Sequence, residues 1–423
     1  MREGIRQRNA TENNFDIIVI GAGIAGTCAA AVLSRQGYDV ALVDARAHYQ
    51  DEFRAEKIGD EKMAIFDRLG LGEIARQFTT PMQNLWVYRY GQLYSRSEMK
   101  EYGFRYAALI NGLRGSLLTN VQFIQARADK IETDAARQKV MLNNGNELTC
   151  RLVILATGLG DATRRSVGIR RVDISKTHSL ALGFNLALEA PQFPFEALTY
   201  YGTPGYDRSA FLTLFPIAKT MRGNLFSYHA LSDPWIRQLR VDPQHALSET
   251  MPAIAEICGN FRVTGKVEIR PIDLTISENF RREGLVLVGD AFCNTCPVPG
   301  VGIQRAMIDV ERLCKVHVPK WFESAGMGAD KISAFYDDPV KATMDRNAIH
   351  SSHYSRDLTV NRSPAWAARR WRNAIVRRSA QAVRQRMKSN NAGHGSEPVT
   401  GRQPVQFRPV SGPTIGKSSA RIL

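Results

Sequence analysis

The feature that most constrains this chain is a glycine-rich turn between a buried strand and a helix. Phe15 to Ile20 is a nearly all-apolar run, which indicates a central parallel strand covered on both faces. It leads into Gly21, Gly23 and Gly26, spaced G-x-G-x-x-G at the start of an Ala-rich helix, and a second strand follows from Tyr38 to Val43. This β-α-β unit predicts a doubly wound α/β fold whose glycine turn binds a dinucleotide.

Each glycine of the turn has a physical role. Gly21 permits the tight turn, Gly23 lets the backbone approach a pyrophosphate, and Gly26 allows close packing of helix on strand. The amino-terminal end of the helix faces the phosphate charge, and Asp44 can accept hydrogen bonds from the adenosine ribose. We therefore predict that the cofactor contacts Gly21, Gly23, Ile24, Ala25, Gly26, Asp44 and Ala45.

A second motif in residues 284–310 indicates which dinucleotide binds. It comprises a buried strand, a loop and a helix, and it contains Gly289, Asp290, Ala291, Pro297, Gly300, Gly302, Ala306 and Asp309. This spacing resembles the second FAD motif of the para-hydroxybenzoate-hydroxylase-like, or group A, flavoproteins, G-D-A-x(5)-P-x-x-G-x-G-x-x-x-A-x-x-D. The resemblance implies FAD as cofactor, bound through Gly289, Asp290, Pro297, Gly300, Val301 and Gly302. Arg54 and Arg114 resemble residues that lie near the adenosine and phosphates in such proteins.

The resemblance also implies a domain organisation. About 260 residues separate the two motifs, as in a discontinuous Rossmann-type FAD-binding domain that is interrupted by an antiparallel β-sheet substrate domain. Aromatic and β-branched residues between Thr177 and Tyr228 indicate short strands of that sheet. The expected parts are an FAD-binding domain (15–75, 105–176 and 265–330), a substrate domain (76–104 and 177–264), C-terminal helices (331–388) and a disordered basic tail (389–423).

The family implies an FAD-dependent monooxygenase that hydroxylates or epoxidises a hydrophobic organic substrate with molecular oxygen, through a flavin C4a-hydroperoxide, in secondary metabolism. Two alternatives stay open: a reductase or dehydrogenase of an isoprenoid-like or other lipophilic substrate, and a flavoprotein-fold docking module.

Thr157 stands where related hydroxylases carry the Asp of a D-G motif, and Asp161 is offset from that position. The electron donor is therefore open between NAD(P)H and external reduced flavin from a flavin reductase.

Candidate catalytic residues are few, because in this chemistry the protein mainly orients the substrate and excludes water. His178, Tyr200, Tyr201 and His229 lie on predicted strands and could face the flavin, although packing is the more frequent role of such residues. Cys293 and Cys296 form a C-x-x-C pair for which packing is favoured over a redox dithiol. No second Cys/His pair accompanies them, so no metal site is expected.

Charge separates the chain into two parts. Residues 356–423 hold fourteen basic and two acidic residues, a net +12, which leaves +3 of the chain's +15 for the first 355 residues. The basic segment fits a terminal helix that packs a small apolar stripe on the body and leaves its arginines in solvent, or a helix that contacts an anionic membrane surface or an acidic protein. Nucleic-acid binding is not expected because no recognition motif accompanies the charge. Six cysteines are too few for a disulfide framework, and a cytoplasmic enzyme, peripheral to membrane at most, is the expectation.

Overall fold

The computed structural model describes residues 13–54, 56–89, 91–188, 193–203 and 208–392. The chain divides into two compact units, residues 1–366 and 367–423. The strands are β1 Ile17–Ile20, β2 Val40–Asp44, β3 Lys57–Gly59, β4 Thr80–Met82, β5 Leu85–Arg89, β6 Gln92–Ser97, β7 Glu101–Gly103, β8 Val121–Gln125, β9 Ala128–Glu132, β10 Gln138–Leu142, β11 Glu147–Cys150, β12 Leu152–Leu155, β13 Arg170–Leu188, β14 Ala197–Tyr201, β15 Ser209–Ile217, β16 Thr220–Ser227, β17 Phe261–Glu278, β18 Leu285–Leu287 and β19 Cys293–Asn294.

The helices complete the fold. They are α1 Ile24–Arg35, α2 Asp60–Arg68, α3 Gly72–Gln77, α4 Tyr106–Gly115, α5 Ala162–Ser166, α6 Pro234–Val241, α7 Pro243–Thr250, α8 Ala253–Cys258, α9 Gly302–Arg312, α10 Val318–Phe322, α11 Ala329–Tyr336, α12 Pro339–Val360 and α13 Pro364–Ala392. A 3₁₀ turn spans Gly289–Ala291, and a π-helical turn, Leu313–His317, continues α9.

A parallel sheet of five strands forms the nucleotide-binding half, in the order β18-β12-β1-β2-β8. Ile17 of β1 is paired with Val40 of β2 on one side and with Leu152 of β12 on the other. Every residue of β1, β12 and β18 is buried, which explains why these strands read as continuous apolar runs. The α/β fold class and the parallel sheet predicted from the sequence are confirmed.

A sheet of eight strands forms the other half, in the order β19-β17-β13-β16-β15-β14-β5-β6. All neighbours in it are antiparallel except β14 and β5. The prediction of short strands after Thr177 is partly wrong, because β13 alone spans 19 residues. Register shifts near Ser175 and Gly183 bend this strand without ending it, and Thr177 takes a positive φ of 42° there.

Two predicted boundaries fall inside long strands. β13 crosses residue 176 and β17 crosses residue 264, and these two strands are paired over most of their length. The helix predicted near the carboxyl end is present as α13 and extends to Ala392. The tail predicted for residues 389–423 is thus helical over its first four residues, and the remainder lies outside the described residues.

Candidate active site

A cavity of about 530 Å³ lies between the carboxyl ends of the parallel strands and one face of the eight-stranded sheet. Its wall includes Gly21 after β1, Asp44 at the end of β2, Thr157 after β12 and Gly289 after β18. In an open α/β sheet, ligands bind outside these carboxyl ends, where loops from several strands converge. The fold therefore brings the two sequence motifs, far apart along the chain, to one site.

The glycine turn leaves room for a ligand at one position. Gly21 has a φ of +99°, and a β-carbon on Gly26 would lie 1.9 Å from the carbonyl oxygen of Gly21, so both positions require glycine for the fold itself. A β-carbon on Gly23 would meet no atom within 4 Å. Gly23 also lines the cavity and flanks the start of α1, so it provides an open cradle at a positive helix end.

Asp44 and Arg114 stabilise the backbone of this turn through hydrogen bonds. The Asp44 carboxylate accepts hydrogen bonds from the Ala22 amide at 2.7 Å and the Arg46 amide at 2.9 Å. Arg114 donates through Nε to the Ala22 carbonyl oxygen at 2.8 Å, and its Nη2 lies 3.7 Å from Asp44 Oδ2. Asp44 lines the cavity, whereas Arg114 lies behind the turn and bonds to its backbone.

The second motif forms the adjoining wall. Asp290 belongs to the 3₁₀ turn after β18, and its carboxylate lies 3.1 Å from Arg305 Nη2 and 3.5 Å from Arg54 Nη1. Arg54 is also paired with Glu52 at 2.5 Å. The predicted cofactor-binding residues that line the cavity are Gly21, Gly23, Ile24, Ala25, Asp44, Arg54, Gly289, Asp290, Pro297, Gly300 and Gly302.

The other predicted cofactor-binding residues lie just outside this wall. Gly26 is packed against Gly21, Val301 flanks the start of α9, and Ala45 and Arg114 adjoin Asp44. Each is within one or two residues of the wall or bonded to it. The arrangement suits FAD: two helix ends meet the cavity beside an open glycine cradle, and two carboxylates on the same wall, Asp44 and Asp290, can accept hydrogen bonds from hydroxyl groups.

A buried ionic cluster supports Asp290 from behind, and sequence reasoning missed most of it. Arg305 and Lys341 have no exposed surface, and Asp309 is 1% exposed. Lys341 Nζ donates to Asp309 at 2.8 Å and to Asp345 at 3.0 Å, and Asp309 Oδ2 accepts from the Gly289 amide at 2.9 Å. The motif signalled Asp309, but no local pattern marks Arg305 or Lys341.

The cluster ties α12 to the flavin motif. Arg305 Nη1 lies 3.7 Å from Asp309 and 3.6 Å from Asp345. Burial raises the pKa of Asp309, and the ammonium group of Lys341 opposes this rise most strongly. Charges buried this deeply are maintained by mutual pairing, so Asp290 is held by a rigid support.

The eight-stranded sheet supplies the facing wall through two cross-strand rows. Tyr201, Phe211 and Phe226 are mutual partners on β14, β15 and β16, and all three line the cavity. Thr199, Thr213 and Asn224 form the next row on the same face and also line it. Side chains between the rows point to the opposite face, where they form a second apolar core.

The predicted catalytic candidates lie in different surroundings. Tyr201 lines the cavity, whereas its neighbour Tyr200 points to the opposite face and packs in that core. His178 is buried against the Ser352 carbonyl, and burial lowers its pKa to about 4. His229 stacks on Trp235, with ring centroids 4.6 Å apart. Three of the four candidates therefore have packing roles away from the cavity wall.

The segment around Thr157 lacks a free carboxylate. Thr157 and Gly158 line the cavity, but Asp161 does not. Asp161 is paired with Arg164 at 2.9 Å and with Arg165 at 3.3 Å. The negative charge of the hydroxylase D-G motif is therefore absent from this part of the wall.

Cys293 and Cys296 are buried and not bonded to each other. Burial raises the pKa of Cys293 to about 11, and Cys296 packs beside Ser179, with Sγ and Oγ 3.3 Å apart.

Among the described residues, no group of three or more His, Cys, Asp and Glu side chains is placed to hold a metal ion. In the same part of the chain, every helix is too short or too polar to cross a bilayer.

The fold and cavity define a class: a dinucleotide-binding protein of the flavoprotein type, with a second sheet closed over the nucleotide site. Residues 14–316 match the family model described as FAD binding domain. The chain therefore belongs to this FAD-binding family, and the resemblance inferred from the two motifs is confirmed.

Individual relatives are distant. Squalene monooxygenase from Rattus norvegicus is 24% identical over 355 residues, which cover 76% of this chain and 58% of that protein. Menaquinone reductase from Mycobacterium tuberculosis (strain CDC 1551 / Oshkosh) is 26% identical over 178 residues, 38% of this chain and 42% of that protein. The chain thus spans little more than half of the first relative's length and less than half of the second's.

A solved structure extends the likeness of fold to nearly the whole chain. The p-nitrophenol 4-monooxygenase PnpA from Pseudomonas putida DLL-E4 superposes with a TM-score of 0.65 at 17% identity. The match covers 86% of this chain and 94% of that one. At this identity the likeness establishes the architecture.

Proposed function

We propose that this chain is an FAD-dependent monooxygenase that hydroxylates or epoxidises a hydrophobic organic substrate. One observation carries the proposal: both nucleotide motifs and an aromatic row of the second sheet line the same cavity. A cofactor held by Gly23 and Asp290 would share that cavity with a substrate resting on Tyr201, Phe211 and Phe226. Molecular oxygen would be the co-substrate, and bound FAD would supply its activation.

The chain's own residues would bind and orient the cofactor and exclude water from the cavity. The open cradle at Gly23 and the amino-terminal end of α1 would take the pyrophosphate. Asp290, fixed by Arg305 and Arg54, would hold hydroxyl groups of the cofactor. The amino-terminal end of α9 faces the cavity through Gly302 and Ile303, where its partial positive charge stabilises added negative charge.

The proposal is tested by oxygen consumption of the purified, FAD-loaded full chain. NADH, NADPH and FADH₂ from a separate flavin reductase are each supplied with a panel of lipophilic aromatic and isoprenoid compounds. The expected result is substrate-dependent oxygen uptake, with one oxygen atom from ¹⁸O₂ recovered in the product. Failure of every donor to support uptake, with FAD stoichiometrically bound, would contradict the proposal.

A second candidate is an FAD-dependent reductase or dehydrogenase of a lipophilic substrate. The missing carboxylate near Thr157 and the partial likeness to a menaquinone reductase favour it. Turnover under strictly anaerobic conditions separates the two. A reductase would convert its substrate without oxygen, whereas a monooxygenase would stop.

We also propose that the enzyme is cytoplasmic and that its basic carboxyl-terminal segment has a docking role. α13 begins at Pro364 and carries four arginines up to Arg377. We expect it to bind an anionic membrane surface or an acidic protein. Comparing the full chain with a variant ending at residue 363, in sedimentation with vesicles of 30% phosphatidylserine, tests this. Equal binding of both chains would argue against the role.

A further inference from the structure

The polar row on the cavity face contains a hydroxyl group with no partner. Thr213 is 3% exposed and lines the cavity, and its Oγ1 has no hydrogen-bond partner among the described residues. Buried hydroxyl groups are almost always paired, because an unpaired one has lost its hydrogen bonds to water without replacement. An unpaired hydroxyl at a cavity wall is therefore explained by a ligand that pairs with it.

The neighbours of Thr213 define the kind of surface that this ligand meets. Thr213 lies between Thr199 and Asn224, so the row offers hydroxyl and amide groups but no charge. With its amide nitrogen turned toward them, Asn224 donates to the Gly223 carbonyl at 3.0 Å and to Glu56 at 3.1 Å. Glu56 is also held by Arg222 Nε at 2.8 Å. Asn224 is thus occupied by protein partners, whereas the buried Thr213 hydroxyl has none among the described residues.

An apolar strip runs beside the polar row. The rings of Tyr201 and Phe211 have centroids 5.5 Å apart, and those of Phe211 and Phe226 are 5.0 Å apart. The Arg89 guanidinium covers Tyr201 at 3.4 Å from the ring centroid. Such a strip favours a flat apolar body by area burial and ring contacts.

Three of the cations on the cavity wall, Lys57, Arg54 and Arg270, already have anionic or carbonyl partners. Lys57 is paired with Glu101 at 2.6 Å, and Arg54 with Glu52 at 2.5 Å. Arg270 donates to the Phe53 carbonyl oxygen at 3.0 Å. A carboxylate on the ligand would compete with these partners, whereas a neutral oxygen on Thr213 would displace none of them.

We propose that the substrate is a neutral lipophilic compound whose rigid apolar body lies on the Tyr201–Phe211–Phe226 row and whose single hydroxyl or carbonyl oxygen bonds to Thr213. This inference rests on the proposed function, since it takes the sheet face as the substrate site. A threonine hydroxyl both donates and accepts, so alcohols, phenols and ketones all fit. Hydrocarbons without oxygen and organic anions are disfavoured.

The test uses the FAD-loaded full chain and three probes: 2-naphthol, naphthalene and 2-naphthoate. Dissociation constants are measured from the perturbation of the oxidised flavin absorbance, with no reductant present. We expect 2-naphthol to bind about tenfold more tightly than naphthalene, as one hydrogen bond allows, and 2-naphthoate to bind more weakly than 2-naphthol. Thr213→Val should abolish the preference for 2-naphthol while leaving naphthalene binding within twofold.

Two further variants make the result specific. Thr213→Ser retains the hydroxyl group and should keep the preference, so it also replaces the valine variant if that protein loses FAD. Thr220→Val, on the same β15–β16 hairpin but outside the cavity wall, should behave as wild type. An unchanged preference in Thr213→Val, tighter binding of 2-naphthoate, or no saturable response to any probe would overturn the proposal.

This outcome is separable from that of the proposed function. Binding is read on oxidised flavin, whereas monooxygenation is read by oxygen uptake. Discrimination at Thr213 without oxygen uptake would sustain the neutral-ligand site and refute the monooxygenase, and the reverse pattern would do the opposite.

Discussion

Replacing Lys341 by Met tests whether the buried ionic cluster supports the flavin motif. Lys341 has no exposed surface and bonds to Asp309 and Asp345, and its ammonium group lies 4.1 Å from the Phe292 ring centroid. Methionine has a similar length, and its thioether packs well against aromatic rings. The substitution therefore removes a charge with little loss of volume.

The expected cost follows from the charges left behind. Arg305 and Lys341 balance Asp309 and Asp345 in the native cluster, and the variant retains two carboxylates against one guanidinium. Removing one partner of a buried ion pair typically destabilises a protein by about 3–5 kcal/mol. Arg68→Met is the matched control, because its pair with Glu311 on the same α9 helix is half exposed and should cost at most about 1 kcal/mol.

The pH dependence distinguishes a lost charge pair from a simple packing defect. Without Lys341 the pKa of Asp309 rises further in the folded state, so the folded chain binds more protons than the unfolded chain. Stability is then retained at low pH and lost as pH rises, and the deficit of Lys341→Met should grow from pH 5 to pH 8. The double variant Lys341→Met/Asp345→Asn should recover much of it.

Urea unfolding of the FAD-loaded chain, followed by far-ultraviolet circular dichroism at pH 5, 6.5 and 8, measures these differences. Titration of the apoprotein with FAD shows whether Asp290 loses its support, and we expect weaker binding in Lys341→Met only. A deficit below about 1 kcal/mol that does not change with pH would refute the reasoning.

Three further predictions follow from single contacts. Gly23→Ala should leave the thermal unfolding of the apoprotein unchanged but weaken FAD binding, measured by fluorescence titration, at least tenfold. Gly26→Ala should instead lower the stability of the apoprotein, because its β-carbon would lie 1.9 Å from a carbonyl oxygen. Burial lowers the pKa of His178 to about 4, so the free energy of unfolding should fall as pH drops from about 6.5 to 4. In urea titrations His178→Asn should reduce this loss of stability, whereas the control His245→Asn should not. All six cysteines are buried, so 5,5′-dithiobis(2-nitrobenzoate) should detect no thiols in the native chain and six in denaturant; rapid native labelling would contradict the packing.

The nucleotide half of the fold was predictable because its geometry is encoded locally. Gly21 is required by its positive φ, and Gly26 by its close approach to the Gly21 carbonyl oxygen within the same turn. The buried runs of β1 and β12 are recognisable without knowing their partners. Helices α1 and α9 begin directly after the turn and loop that predicted them, for the same reason.

The substrate half was less predictable because it depends on register. Tyr200 and Tyr201 are adjacent and chemically alike, yet one packs in the core and the other lines the cavity. A strand pattern establishes that the two side chains point to opposite faces of the sheet, but not which of them faces the flavin site. The parallel pairing of β14 with β5 is similarly invisible in the sequence, since more than one hundred residues separate them.

The wall beside Thr157 bears on the electron donor that we propose for this enzyme. In related hydroxylases an acid at this position belongs to the motif that serves FAD and NAD(P)H, and Asp161 is offset from that position. The structure shows Asp161 bonded to Arg164, which is itself buried and donates to the Ala291 carbonyl oxygen at 2.8 Å. Asp161 is thus part of the support for the flavin motif and cannot turn toward a nicotinamide without breaking it. Thr157 offers only a hydroxyl group, 3.5 Å from the Gly160 carbonyl. This wall keeps the FAD cradle without the charge of the family motif, so we predict that FADH₂ from a flavin reductase supports more substrate-dependent oxygen uptake than NADH or NADPH.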